Sequence, residues 1–165
     1  MRKLDRYIIQ EMLGPFLFGM GAFAIVLVGV DLMYHALRLI LEEGLEARWA
    51  RHRRNHEFLL AGLAEMGLDV YPDHSCALWS LNTVRIPEGV DDTRVRRALL
   101  NEFNIEIGGG LGPVVGKIWR IGLMGHSATK NNVMLVLSAL QSLLEREGFS
   151  CAGDGALAAA RALEG

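Results

Sequence analysis

The chain of 165 residues has only two cysteines, Cys76 and Cys151, far apart and without CxxC spacing. They exclude a disulfide framework and a cysteine-based zinc site. Two free thiols of this kind fit a reducing compartment, where such a side chain is usually a small, buried or half-buried apolar group. Lysine is scarce: Lys3, Lys117 and Lys130 are the whole complement. A formal net charge of −2 lacks the excess of either sign that a nucleic acid or an acidic partner selects for, so no nucleic acid is expected as a partner. Internal repeats and low-complexity segments are missing as well. The length leaves room for one ordinary domain, or a small domain with an appendage.

What is abundant is apolar surface, at 51% of residues, much of it in the first 35 positions. No charged side chain stands between Glu11 and Asp31. The run Met12–Val30, MLGPFLFGMGAFAIVLVGV, holds 19 residues, enough for a helix to cross a hydrocarbon core of about 30 Å. Gly14, Gly19, Gly21 and Gly29 weaken a soluble helix but are common where membrane helices approach closely. Arg2, Lys3 and Arg6 predict a cytoplasmic N-terminus, and Arg48, Arg51, Arg53 and Arg54 on the far side oppose it. A buried core helix would need no polar face over five turns. A cleaved signal peptide would use Ala22-Phe23-Ala24, yet the six residues after it are all apolar or Gly. The segment LDRYIIQEMLGPFLFGMGAFAIVLVGVDLMY resembles the N-terminus of the lipopolysaccharide-export (Lpt) permeases, through its D-R-Y opening and P-F-L-F-G start. That resemblance covers about 35 residues, and one helix alone cannot form a transport path.

From Ala36 the period changes. Leu41, Leu45, Trp49, His52, His56, Leu59 and Leu63 recur every three or four residues, predicting one long helix ending near Gly67, with Glu42, Glu46, Arg53, Arg54 and Glu57 on its solvated face. Leu68–Tyr71 and Ala77–Ile86 read as strands, closed by Pro72 and Pro87. Asp91 or Asp92 caps a helix whose inner face carries Val95, Leu99, Leu100 and Phe103. Ile105–Ile107 and Lys117–Leu123 are extended, with GGGLGPVVG between them. A last long helix starts near Thr129 with Val133, Val136, Leu137, Leu140 and Leu144 inward, and Gly148 ends it. GDGALAAARALEG forms a short Ala-rich helix. The expected fold is α+β, a small antiparallel-rich sheet covered by helices and preceded by one long hydrophobic helix.

Three blocks carry a family resemblance: LRLILEEGLEARWARH, FNIEIGGGLGPVVGKIWRIGLMGHSATKNNV and GFSCAGDGALAAARAL. The middle block is the most specific. Together they resemble the C-terminal small domain of fold-type-I, class V pyridoxal-phosphate aminotransferases of the alanine/serine–glyoxylate group, over residues 36–165, with residues 1–35 permease-like. The resemblance implies transfer of an amino group between an amino acid and an oxo acid, a homodimer in the complete enzyme, and a cytoplasmic domain, or one anchored at the inner or plasma membrane if residues 12–30 span it.

Arg120 is the leading site candidate. Its charge sits on a strand between Trp119 and Ile121 and needs an anionic partner, because an unpaired buried charge is costly. A guanidinium suits a carboxylate by donating two parallel hydrogen bonds, and in the resembled family the arginine of R-I-G-L grips the substrate carboxylate. A structural arginine paired with a local Asp or Glu is the competing reading. Gly108, Gly109, Gly110, Leu111 and Gly112 are not a phosphate loop: Gly116-Lys117 is followed by Ile118, and no GxGxxG register fits. They read either as plain turn residues or as a flexible, positive-φ loop at the substrate mouth. His52 and His56 have chelating spacing, but Arg53 and Arg54 repel a cation, so no metal is expected. The run Arg51–Arg54 suits anionic headgroups if a membrane is near, or simply a solvated face. His126 and Ser127 suit either substrate contact or helix capping.

Transamination needs a lysine to hold pyridoxal phosphate as a Schiff base, and an acidic partner for the pyridine nitrogen. By the resemblance, Lys117 and Lys130 fall at small-domain positions and Lys3 precedes the hydrophobic segment. The large domain that cradles the cofactor should precede Ala36, where the permease-like helix stands, with the join near Met33–Ile40. The chain is therefore expected to be an incomplete transaminase, a fusion or fragment that binds no cofactor and is inactive alone, with the missing large domain as its partner. A permease fragment and a membrane-anchored non-catalytic module are the alternatives.

Overall fold

A computed structural model describes residues 3–162, with the backbone alone for residues 3–6, 9 and 74. The Arg2, Lys3 and Arg6 side chains, on which the expected membrane orientation rests, lie outside the described residues, as do residues 163–165 of the Ala-rich tail. The chain divides into two compact units, Met1–Arg48 and Trp49–Gly165.

The first unit is dominated by α1 (Lys3–Glu43), a single helix of 41 residues and so about 60 Å long. Gln10–Glu43 contains an apolar window of mean hydropathy 2.2, none of it buried. By length and composition this is the one helix among the described residues that could cross a membrane. Space is open beside Gly14, Gly19, Gly21 and Gly29. Gly44, at φ +79°, ends α1, and α2 (Leu45–Glu65) begins at once. The single helix expected from Ala36 to Gly67 is therefore broken at a residue that alone takes this backbone angle without strain. Leu41, Leu45 and Trp49, expected on its inner face, are exposed.

The second unit holds the core. From α2 come Phe58, Leu59 and Leu63; from α3 (Asp92–Phe103), Val95 and Leu99; from α4 (Lys130–Arg146), Val133, Val136, Leu137, Leu140 and Leu144. Leu100, expected inward, is largely exposed. Side chains seal the helix starts. Asp91 accepts from the Arg94 amide at 2.9 Å, Thr129 from Asn132 at 3.3 Å, and Asp154 from Leu157 at 2.9 Å at the head of α5 (Gly155–Arg161). Asn104, at φ 55°, closes α3, in keeping with the tolerance of Asn for the left-handed region.

Three antiparallel strands complete this unit, in the order β1 (Leu81–Arg85), β3 (Ile118–Gly122), β2 (Gly108–Gly109). The register aligns Thr83 and Gly108 with Arg120, and Val84 and Gly109 with Trp119. Side chains alternate across a strand, so Asn82, Val84, Trp119 and Ile121 enter the core and Leu81, Thr83 and Arg120 take the other face. Ladders are shorter than the apolar runs suggest. Leu68–Tyr71 contributes one bridge, Val70 with Val84, and two bonds to β1 (Tyr71 N–H to Thr83 O, 2.9 Å; Arg85 N–H to Asp69 O, 2.8 Å) before Pro72. Pairing opposite β3 falls on Gly108–Gly109 and not on Ile105–Ile107.

Where α2 meets the start of α5, backbone lies on backbone. A Cβ at Gly62 would stand 2.7 Å from the Gly155 carbonyl oxygen, and one at Gly155 would stand 2.8 Å from that of Gly62. A carbonyl cannot rotate away as a side-chain end can. Gly62→Val should destabilise the second unit by about 2 kcal/mol, because overpacking of about 1–3 kcal/mol outweighs a helix-propensity gain of a few tenths. Urea unfolding followed by tryptophan fluorescence checks this, since Trp49, Trp79 and Trp119 all belong to that unit. The expected result is a lower midpoint with an unchanged slope.

Candidate functional site

The site is built on the sheet's second face, where the central strand presents Arg120. Arg120 is half-buried, and its Nε donates to the Gly109 carbonyl at 2.7 Å. Its plane lies against Gly108: a Cβ there would be 3.1 Å from Nη2 and 3.3 Å from Cζ and Nε. No carboxylate forms an ion pair with Arg120 among the described residues. The competing structural pairing with a local Asp or Glu is thus not seen among the described residues. Nε is its one hydrogen-bonded nitrogen among the described residues.

A second guanidinium lies on the other side of the same short strand. A Cβ at Gly109 would be 3.5 Å from Arg96 Cζ. Arg96 grips Asp92 with two bonds, Nε to Oδ1 at 2.7 Å and Nη2 to Oδ2 at 2.9 Å. Trp119 Nε1 donates to the same Oδ1 at 2.8 Å. The Arg96 hydrogen bonds hold the Asp92 carboxyl below its usual range against a raising effect of burial, with the Trp119 bond and the Arg96 charge also lowering it. Asp92 in turn raises Arg96. This cluster fixes the strand that carries Arg120 from beneath.

The glycine run turns out to be several devices. Gly108 and Gly109 form β2 and leave room for the two guanidinia. Gly110 lies against the Val114 carbonyl, where a Cβ would collide. Of the four glycines only Gly112 has positive φ, at 57°, so close approach more than backbone freedom explains the run. Leu111 is exposed.

Other candidates do not join this site. His56 is buried and its Nδ1 is 2.6 Å from Asn82 Oδ1, and no group of three potential metal ligands exists among the described residues. Arg51 is tied to the Gly125 and Ala128 carbonyls at 3.1 and 2.7 Å, and Arg53 to Glu57 at 2.9 Å. Ser127 donates its hydroxyl to the Met124 carbonyl at 2.6 Å; Thr129, not His126 or Ser127, caps α4. Cys76 is exposed, against the expected burial, whereas burial pushes up the half-buried Cys151 thiol, with Glu145 adding to it. The Asp92–Arg96–Trp119 cluster went unread in the sequence; the i, i+4 spacing of Asp92 and Arg96 was its only trace.

Comparison with known proteins follows this geometry. The chain is 47% identical over 124 residues to the (S)-ureidoglycine–glyoxylate transaminase of Bacillus subtilis, covering 75% of this chain and 30% of that protein. It is 42% identical over 112 residues to the alanine–glyoxylate aminotransferase of Felis catus, covering 67% and 27%. The crystal structure of the Bacillus subtilis enzyme superposes with TM-score 0.75 at 46% identity, over 78% of this chain and 33% of that one. Pyridoxamine–pyruvate aminotransferase of Mesorhizobium loti gives 0.73 at 35%, with the same coverages. Its homologues are class V aminotransferases. A match of 124 residues exceeds the first unit and must take in most of the second. The chain spans about a third or less of the length of these relatives. No family model matches, and none of these relatives bears on the permease resemblance of residues 1–35.

An aminotransferase acts with pyridoxal phosphate, and the described residues do not fit that group. Lys117 and Lys130 are both exposed and make no ion pair, and neither lines the Arg120 site. The Lys3 side chain lies outside the described residues.

Asp92 supplies a pH test. Its carboxyl is lowered on folding, so its stabilisation is full above the unfolded carboxylate range near about 3.9 and is lost as pH falls through the folded value. In thermal unfolding between about pH 7 and pH 2, Asp92→Asn should be the less stable protein at neutral pH and should show the flatter acid-side fall.

Proposed function

We propose that residues 36–165 serve as the small domain of a glyoxylate-type aminotransferase, in which Arg120 holds the substrate carboxylate. One observation carries this reading: a half-buried arginine on the central strand, steered by the Gly109 carbonyl, lying on bare Gly108 and lacking a carboxylate of its own. Nε is committed, so the carboxylate of an amino acid or oxo acid meets the two terminal nitrogens. The amino-group chemistry belongs to a cofactor and lysine that these residues do not supply. The partner is accordingly a large domain, and the loop Gly108–Gly112 borders the substrate at its junction. In the same reading α1 lies in a membrane, supported by its exposed apolar length. The chain should then leave a membrane fraction with detergent and remain there in alkaline carbonate.

The direct test is a chimaera in which residues 36–165 replace the matching part of the Bacillus subtilis transaminase. Transfer of an amino group to glyoxylate is expected. Arg120→Gln should lower kcat/KM by about 100-fold or more, since leaving a buried charge pair broken costs about 3–5 kcal/mol. Gly108→Ala, which moves the guanidinium by a few tenths of an ångström, should cost about tenfold. An active chimaera indifferent to Arg120→Gln would remove the role of Arg120. A folded but inactive chimaera would remove the small-domain reading.

A further inference from the structure

A second cationic site lies apart from Arg120, between α2 and the start of α4. A cavity of about 300 Å³ is lined by Arg51, Arg54, Asn55, Phe58, Thr129 and Lys130. Three of these six carry positive charge and none carries negative charge, in a chain whose formal net charge is −2. Among the lining side chains the charge is therefore of one sign, against the trend of the molecule, and like charges brought together repel.

The walls are fixed by bonds that the fold itself requires. Asn55, 4% exposed, donates from Nδ2 to the Ala128 carbonyl at 2.7 Å. Arg51 reaches the same carbonyl at 2.7 Å and that of Gly125 at 3.1 Å. Together they pin the segment leading into α4. Arg54 and Lys130 behave differently. Both are exposed, and no ion pair or side-chain hydrogen bond engages either among the described residues. The neighbouring Arg53 is neutralised by Glu57 at 2.9 Å, which leaves no acid on that turn for Arg54.

We propose that this cavity binds a phosphate group, carried either by a lipid headgroup or by a soluble phosphate ester, with Arg54 and Lys130 as its ligands. A tetrahedral oxyanion can accept from the Arg54 fork and from the Lys130 ammonium at once, relieving their repulsion with charge-assisted hydrogen bonds. Phe58 closes the floor with apolar surface, which strengthens those bonds by excluding water on one side. The site does not depend on the aminotransferase reading, because none of its residues touches Arg120 or β2.

The experiment is titration of the full chain, in nonionic maltoside micelles, with inorganic phosphate followed by backbone and side-chain NMR. Saturable shifts confined to Arg54, Thr129, Lys130 and their neighbours are expected, with sulfate competing. Arg54→Gln and Lys130→Gln should each weaken binding by about tenfold or more, whereas the paired exchange Arg54→Lys with Lys130→Arg should retain it. Both positions are exposed, and an unchanged tryptophan-detected unfolding midpoint shows that loss of binding is not loss of fold. Phosphate that moves nothing in the wild type, or moves the double Gln variant equally, overturns the proposal. Phosphatidylglycerol added to the micelles then separates the sources. If it moves the same resonances and phosphate adds nothing, the ligand is a headgroup; if it leaves them still while phosphate moves them, the ligand is a soluble ester.

Discussion

Two guanidinium planes lie on the two residues of β2, one on each side, and the rest of the site follows from that arrangement. A strand of two glycines has no side chains to pack and loses more backbone freedom on ordering than any other pair. What orders it here is its surroundings: the ladder to Arg120 and Trp119, the Arg120 bond to the Gly109 carbonyl, and Arg96 from below. Arg96 is held by Asp92, and Asp92 also receives the Trp119 indole. Trp119, fully buried, therefore couples the apolar core to the polar face through one carboxylate. The polar cluster serves as a platform: it sets where Arg120 stands without contacting an anion bound to it.

Legibility in the sequence followed the range of the interactions. Helices α3 and α4 could be read closely because their signals are local: Asp91 or Asp92 as a cap, Thr129 at a start, and apolar side chains at three- and four-residue spacing behind them. Long-range pairing could not be read this way. Ile105–Ile107 has more strand character than Gly108–Gly109, yet the ladder to β3 falls on the glycines, where Arg120 lies close against Gly108. The break at Gly44 was hidden for a related reason, since the heptad-like run of Leu41, Leu45 and Trp49 continues through it. Those three side chains are exposed, so the periodicity there marks an apolar stripe that this chain does not bury.

Arg120 stood out in the sequence as a charge among apolar neighbours on a strand. The structure adds its orientation, which no spacing argument contains: Nε is spent on the Gly109 carbonyl, and a missing Cβ lets the plane lie flat on the chain. The glycine run shows the converse. Sequence suggested freedom of φ, but two of its four glycines answer to proximity, Gly108 to Arg120 and Gly110 to the Val114 carbonyl, and only Gly112 to positive φ.

The open sheet face gives these details their functional sense. A guanidinium that is half-desolvated without a counter-ion is a poor contributor to stability, because desolvation disfavours the charge and nothing nearby repays it. Removing Arg120 from a purely structural setting would cost little, and a neighbouring carboxylate or an apolar residue would serve the fold better. Its place on the central strand, lying on bare Gly108 beside a buried tryptophan, makes sense when an anion arrives from outside the sheet. The relatives are about three times as long as the matched segment. On that argument Arg120 is a charge that an external anion would stabilise, which is what the proposed role asks of it.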